Sequence, residues 1–366
     1  MNNIRNILID NENWHKYKLN HSELDLYRIS EIEKMLKCCD SSRGFFYGYC
    51  EHCKEDVIMH FKCNSKICSR CGKKYVDKWV ERAKKKVFKE MHRMVTLTIP
   101  SDLRDILEDR WDLLKILQDS AHETIQEVAN RTLRKKVKVG VLVGLQTYGQ
   151  DMKFHPHLHC IVLEKVRYKN SFINFNYIPK EMFRKVWQKI IIKNLSKANI
   201  IYKDKMLIIS MLEKYPNGFV TYVGNSSMNI NQVVRYLARY MRHPAIADSR
   251  LIFYGKGRIT IRMKDKQKRE YSIWFYIEEF IDRLVKHISP KQFRIVRWYG
   301  LYSRREVRLE RIESKDRQET ISFFLYGKRK IIQCPKCNSP LKDVFYVINK
   351  PPDNRKLMNK LDYWIN

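Results

Sequence analysis

At 366 residues the chain can hold two or three folded units, because a single hydrophobic core stops growing well before that length. Its 72 Lys and Arg against 40 Asp and Glu leave a formal net charge of +32, spread along the sequence and not gathered in a tail, and that is the footprint of a polyanionic partner. With no run of about 18 apolar residues and no apolar stretch in the opening MNNIRNILIDNENWHKYKLN, a membrane surface and a secreted protein are both set aside, and a cytoplasmic location is the expectation.

Residues 1 to about 90 start irregularly, become cysteine-rich and close with KKYVDKWVERAKKKVFKEM, in which Val76, Trp79 and Val80 mark one side of a helix. Eight of the ten cysteines fall in tight clusters or adjacent pairs, which in an intracellular chain favours metal binding over disulfides. Cys50-x2-Cys53 and, after fourteen intervening residues, Cys68-x2-Cys71 make a four-thiolate zinc pattern, with Cys63 and His60 each able to replace one ligand. The ion would help fold a segment poor in apolar residues, and the basic helix after it is placed to meet a phosphate backbone or serves a purely structural staple.

MVTLTIP (94–100) has strand chemistry, and Pro100, Ser101 and Asp102 then open a long amphipathic helix running to about residue 135. GVLVGLQTYG (140–149) and FHPHLHCIVLE (154–164) follow as neighbouring antiparallel strands. In the second, alternate positions share a face, so His157 and His159 stand about 6.6 to 7 Å apart at the backbone, close enough to reach one divalent ion. Both flanks are apolar, as in a central strand, where unpaired imidazoles are costly, so metal binding is favoured over a pair of merely solvated rings. His155 shares that face but precedes Pro156 at the strand entrance and ranks lower.

A helix-rich insertion spans about 179–198, GFVTYVG (218–224) is a strand, and NQVVRYLARYMRH (231–243) is a helix. On it Val233, Leu237 and Met241 form the apolar stripe, with Tyr240 inside it and Tyr236 at its edge beside Gln232. A tyrosine pair at this spacing is ordinarily core; the histidine strand and the charge profile make it a candidate pair of nucleophiles, since a phenol oxygen attacking phosphorus conserves the energy of the cut bond for rejoining. LIFYGKGRITIRM (251–263) reads as a hairpin turning near Gly255–Gly257, IEEFIDRLVKHI (277–288) as a helix and FRIVRWYG (293–300) as a strand. Arg294, Arg297, Trp298, Tyr299, Tyr302, Arg304, Arg305 and Arg308 then interleave cations with rings, a composition suited to stacking single-stranded bases and equally to a strand whose aromatics are buried. Cys334-Pro-Lys-Cys337 is a half-site without an evident second pair, either completed by partners from elsewhere such as Cys38 and Cys39 or a degenerate remnant. Strands and helices without strict alternation predict an α+β fold, an antiparallel sheet with helices packed on it beside a small N-terminal zinc module. The expected division is 1–90, 91–310 and 311–366.

HPHLHCIV, YLARY, MVTLTIP, RHPAIADSR, FYGKGRITIR, EEFIDRLVKHISPKQFRIVRWYG and, upstream, CNSKICSRCGKKYVDKWVE together resemble the two-tyrosine HUH transposases of rolling-circle insertion sequences, over roughly residues 45 to 340. The resemblance implies a central sheet like that of rolling-circle replication initiators, with the histidine strand in the middle and the tyrosine helix beneath it. It implies Mg²⁺ or Mn²⁺ at His157 and His159, a third polar ligand for which Gln146 and Gln232 are the candidates, Tyr236 as first nucleophile and Tyr240 as second, and a product with a 5′-phosphotyrosine and a free 3′-OH. Single-stranded element ends would be the substrate, Arg235, Arg239, Arg297, Trp298, Arg304 and Arg305 the DNA contacts, and the location nucleoid-associated. No GxxxxGK[ST] loop is present, so unwinding would fall to a host helicase or the replication machinery. A rolling-circle replication initiator would use the same chemistry on a replicon origin, and a non-catalytic zinc-stapled DNA-binding protein is the alternative without chemistry.

Overall fold

The computed structural model describes residues 3–238, 244–265, 267–303 and 332–347. The chain opens with three helices, α1 (Ile4–Ile9), α2 (Asn13–Asn20) and α3 (Leu26–Leu36), where the sequence had predicted irregular structure. The side chain of Asn3 caps α1 by accepting from Asn6 N, and Asp25 caps α3 by accepting from Tyr27 N and Arg28 N. These helices are short and largely polar, so their apolar signal is weak; Ile7, Trp14 and Ile32 are buried by elements that come more than 200 residues later. A hairpin of β1 (Phe45–Cys50) and β2 (Glu55–His60) follows, and then α4 (Ser69–Lys84), which buries Val80 and half-buries Val76 and Trp79 as its periodicity predicts.

Next come β3 (His92–Thr98), α5 (Arg104–Leu107) and α6 (Trp111–Leu133). The single helix expected from residue 102 is broken here, because Asp109 sits in the left-handed region with φ 60° and pairs with Arg28. Then β4 (Gly140–Tyr148), β5 (Phe154–Leu163), the small hairpin of β6 (Lys165–Tyr168) and β7 (Ser171–Asn174), α7 (Lys180–Ser196), α8 (Tyr202–Lys214), β8 (Thr221–Ser227) and α9 (Ile230–Ala238). The remainder is β9 (Leu251–Gly255), β10 (Arg258–Lys264), β11 (Glu270–Tyr276), α10 (Ile277–Lys286), β12 (Val296–Gly300) and β13 (Lys342–Val347).

Five strands form the central antiparallel sheet in the order β12-β4-β5-β3-β8, so the histidine strand β5 is the middle one. The period-2 alternation sorts its side chains. Leu158, Cys160 and Val162 face a large core under α6, α7 and α8, while Ile161 and Leu163 face the opposite layer, made of α4 and α9. The fold is therefore α+β, with helices on both faces of an antiparallel sheet.

A second sheet, β11-β10-β9, and α10 share one core with α1, α2 and α3; Ile7, Ile32, Ile259, Ile261, Phe275 and Phe280 meet there. A third, β13-β1-β2, brings the segment at 342–347 back onto the N-terminal hairpin. Residues 1–90 thus pack against later parts of the chain from two sides. Among the described residues no helix is long and apolar enough to cross a membrane.

Candidate functional site

β5 presents His155, His157 and His159 on one face, beyond the point where α9 covers the sheet with Val233 and Leu237. Ring centroids of His157 and His159 are 4.8 Å apart, and those of His155 and His157 5.4 Å. On the strand to one side Gln146 lies opposite His157 and Gly144 opposite His159; on the other side Thr98 and Thr96 fill the same rows. Gly144 opens the space that Leu237 occupies, letting α9 approach the sheet closely. Neither Gly144 nor Thr96 stood out in the sequence, although the alternation in MVTLT places both threonines on one face.

The approach of α9 brings Tyr236 to the histidines. Its hydroxyl is 2.8 Å from His159 Nδ1, with the two rings edge to face at 89°. Thr96 Oγ1 lies 3.4 Å from the same nitrogen, and His159 Nε2 is 3.1 Å from Gln146 Oε1. Hydrogen-bond chemistry fixes the protons. Gln146 Nε2 donates to the carbonyl of Tyr148 at 2.9 Å, so the amide oxygen faces His159 and can only accept. His159 Nε2 therefore carries the ring hydrogen, and Nδ1 is the bare nitrogen that accepts from the Tyr236 hydroxyl. His157 Nδ1 donates to the carbonyl of His155 at 2.7 Å, which leaves its Nε2 lone pair available. Burial holds the His157 pKa below the ordinary imidazole value, so the ring is neutral at physiological pH.

The other predicted residues divide. Gln232 is exposed and accepts from Ser227 Oγ at 3.4 Å, turned from the histidines. Tyr240, Arg239, Arg304 and Arg305 lie outside the described residues. Arg235 is exposed beside Asp77 of α4 at 3.4 Å. Of the two readings of the cation–aromatic stretch, the buried one holds for its described part: Tyr302 is buried with its hydroxyl 2.6 Å from His92 Nε2, Tyr299 donates to Asp119, Trp298 packs against Trp79, and Arg297 donates to Gln118, while Arg308 lies outside the described residues. Those rings fill the layer beneath α4 or the interface with α6, because β12 is a covered edge of the central sheet.

The cysteine grouping is also corrected. Cys50, Cys53, Cys68 and Cys71 do not form one site; two four-thiol clusters exist, Cys38–Cys63–Cys68–Cys71 and Cys50–Cys53–Cys334–Cys337, each with its sulfurs within 4.8 Å of one another. Four thiolates at about 2.3 Å around a tetrahedral ion stand about 3.8 Å apart. The observed spacings of 3.7 Å (Cys38–Cys71), 3.6 Å (Cys63–Cys71), 3.6 Å (Cys38–Cys68) and 3.5 Å (Cys50–Cys337) fit that geometry. Left-handed residues directly after Cys38, Cys53, Cys63 and Cys337 turn the chain back around each sulfur pair. His60 is in neither cluster, and the partners of Cys334 and Cys337 are Cys50 and Cys53, not Cys38 and Cys39. Spacing alone could not show this, since both clusters interleave in sequence and one closes across 287 residues.

Two family models match the chain: "Transposase zinc-binding domain" over residues 9–99 and "Putative transposase" over residues 140–309. Among curated proteins it is similar to the "Putative transposase y4qJ" of Sinorhizobium fredii, 22% identical over 385 aligned positions covering 92% of this chain and 94% of the relative. It is also similar to the "Transposase for insertion sequence element IS801" of Pseudomonas savastanoi pv. phaseolicola, 25% identical over 327 positions, 82% of this chain and 76% of the relative. No solved structure matches significantly. The first model spans the zinc-binding region and the second the strand and helix that bring His157, His159 and Tyr236 together, so over these two segments the chain is similar to transposases that carry an N-terminal zinc-binding domain.

Proposed function

We propose that this protein is a transposase that nicks and rejoins single-stranded DNA through a 5′-phosphotyrosine on Tyr236, in rolling-circle transposition. The observation that supports it is the contact of the Tyr236 hydroxyl with His159 Nδ1 at 2.8 Å, beside a second histidine on the same strand face. A phenol is a weak nucleophile until its proton has somewhere to go, and the bare Nδ1 of His159 receives it. The Tyr236 oxygen then bonds to the scissile phosphorus, the bond to the 3′ oxygen breaks, and the leaving oxygen takes a proton from solvent. Rejoining reverses this, with a 3′-OH attacking the phosphotyrosine. Tyr240, one helical turn further on by sequence, is assigned the second strand exchange.

The donor set suits a hard divalent ion. Two ligands about 2.1 Å from an octahedral ion and at right angles stand about 3.0 Å apart, and His159 Nε2 and Gln146 Oε1 are 3.1 Å apart. His157 Nε2, His159 Nε2 and Gln146 Oε1 would hold Mg²⁺ or Mn²⁺, and Gln146 is preferred to Gln232 as third ligand. Bound there, the ion would withdraw charge from the scissile phosphate. Ligation through Nε2 would release that nitrogen's hydrogen to solvent, and Nδ1 would then hold the proton taken from Tyr236 and donate it back to the phenolate oxygen.

The test is incubation of the full chain with single-stranded DNA from the gene's own flanks and Mg²⁺ or Mn²⁺, followed by denaturing gels. A covalent adduct is expected with the parent protein and not with Tyr236→Phe or with the pair His157→Ala and His159→Ala. Undiminished cleavage by the double-histidine variant would reject the metal assignment.

A further inference from the structure

The outer face of the sheet β11-β10-β9 is built unlike an ordinary solvated sheet face. Its inner face buries Ile259, Ile261, Met263 and Phe275, so alternation predicts polar residues outside. Outside stand three aromatics: Phe253, Trp274 and Tyr276, 47%, 50% and 57% exposed. Isolated exposed rings are common, but these are neighbours. Thr260 pairs with Phe253 on one side and Trp274 on the other, and Arg258 pairs with Gly255 and Tyr276 in the adjacent row. The tip of the Phe253 ring lies 3.1 Å from where a side chain on Gly255 would begin, so the glycine keeps this row flat.

Cations are set among the rings. The Arg258 guanidinium lies 4.5 Å from the Trp274 centroid and 5.9 Å from that of Tyr276, and among the described residues it has no carboxylate partner. Arg262 and Lys264, next along the same face, share the single carboxylate of Glu270 at 3.6 and 3.2 Å, and exposed Lys256 forms the turn. The strip therefore offers flat apolar rings and surplus positive charge together. Single-stranded nucleic acid combines exposed π faces with phosphates; in a duplex those faces are already stacked and out of reach.

We propose that Phe253, Trp274 and Tyr276, with Arg258, form a stacking platform for about two to three bases of single-stranded DNA. This rests on the reading that the protein handles single strands. The platform is joined to the histidine strand through the turn before it. Lys264 N donates to Gln150 Oε1 at 3.1 Å and Arg250 donates to the Gln150 carbonyl at 2.6 Å, while buried Met152 of the same turn packs into the core beneath this sheet. DNA held on β10 is thus held by the element that anchors the approach to His155, His157 and His159.

The experiment is fluorescence anisotropy of the full-length protein with a labelled oligothymidylate of about 20 nucleotides, without divalent ion, against a duplex of equal length. Phe253→Ala, Trp274→Ala and Tyr276→Ala should each weaken binding to the single strand about 5- to 100-fold, with duplex binding nearly unchanged. Trp274→Phe, which keeps a ring, should stay close to the parent, and Arg258→Gln should lower the slope of log affinity against log salt by about 0.7. Binding of the triple alanine variant within twofold of the parent, or equal losses on single strand and duplex, overturns the proposal. So does loss of self-association with DNA affinity intact, which would make the face a protein contact. Tyr236→Phe separates the two readings: an adduct persisting in that variant removes the nucleophile assignment and leaves the platform standing.

Discussion

A side chain added to Gly144 would begin 2.9 Å from Cδ2 of Leu237, a contact closer than carbon atoms tolerate. Gly144 lies opposite His159 on the neighbouring strand, and Leu237 directly follows Tyr236. Gly144→Ala should push α9 outward, cost about 1 to 3 kcal/mol of stability by overpacking, and slow adduct formation at least tenfold. Adding Leu237→Ala should restore part of the rate despite a lower melting temperature. Equal adduct rates in parent and Gly144→Ala would show that helix approach does not set the Tyr236 position.

Gln146 and Gln232 make opposite predictions for metal affinity. Gln146→Leu removes an oxygen 3.1 Å from His159 Nε2 and should weaken Mn²⁺ binding about 10- to 100-fold, read by titration calorimetry. Gln232→Leu, on an exposed side chain held by Ser227, should leave it unchanged. The reverse pattern would transfer the ligand role to the helix.

Purified protein should contain two zinc ions per chain by elemental analysis, from the two thiol clusters. The pair Cys334→Ser and Cys337→Ser should lower this to one. Chelator should release the metal in two phases, the faster from the cluster with the partly exposed Cys53 and Cys337, the slower from Cys38, Cys63, Cys68 and Cys71, all buried. One ion in the parent, or release in a single phase, would count against two independent sites.

His287 predicts the acid response. Burial lowers its pKa to about 4; Nε2 donates to the Met152 carbonyl and Nδ1 accepts from Thr147, so the neutral ring ties α10 to β4 and to the turn before the histidine strand. The unfolded chain, with an ordinary value of about 6.5, binds the proton first. Stability is therefore level above that pH and falls as pH drops from about 6.5 through 4, by up to about 3 kcal/mol. Thermal melts of His287→Gln should be lower at pH 7 but change less over that interval; parallel curves would assign the acid loss elsewhere.

What was legible in the sequence was periodic. Alternation placed His157 and His159 together, the 3.6-residue repeat put Val233 and Leu237 inward with Tyr236 beside them, and apolar flanks marked β5 as central. Long-range pairings left no such trace. Cys50 and Cys53 fit the spacing of one site with Cys68 and Cys71, and only the antiparallel meeting of β1 and β13 redirects them. The three N-terminal helices were hidden because their apolar residues are too few to stand out without the β9–β11 sheet they cover. Trp298 and Tyr302 resembled a binding surface because composition does not say which side of an edge strand is capped, whereas Trp274 and Tyr276 escaped notice on a strand that the hairpin reading stopped short of.

The closure of one thiol cluster between Cys50 and Cys337 also orders events during synthesis. A ribosome delivers Cys38, Cys63, Cys68 and Cys71 within a few seconds of each other, so that site can load while translation continues. The hairpin at Cys50 and Cys53 must wait with two open coordination positions until residue 337 emerges. Its metal is a receipt for a chain translated past residue 337, and products that stop short of it should leave the cluster half-formed and prone to capture by quality control.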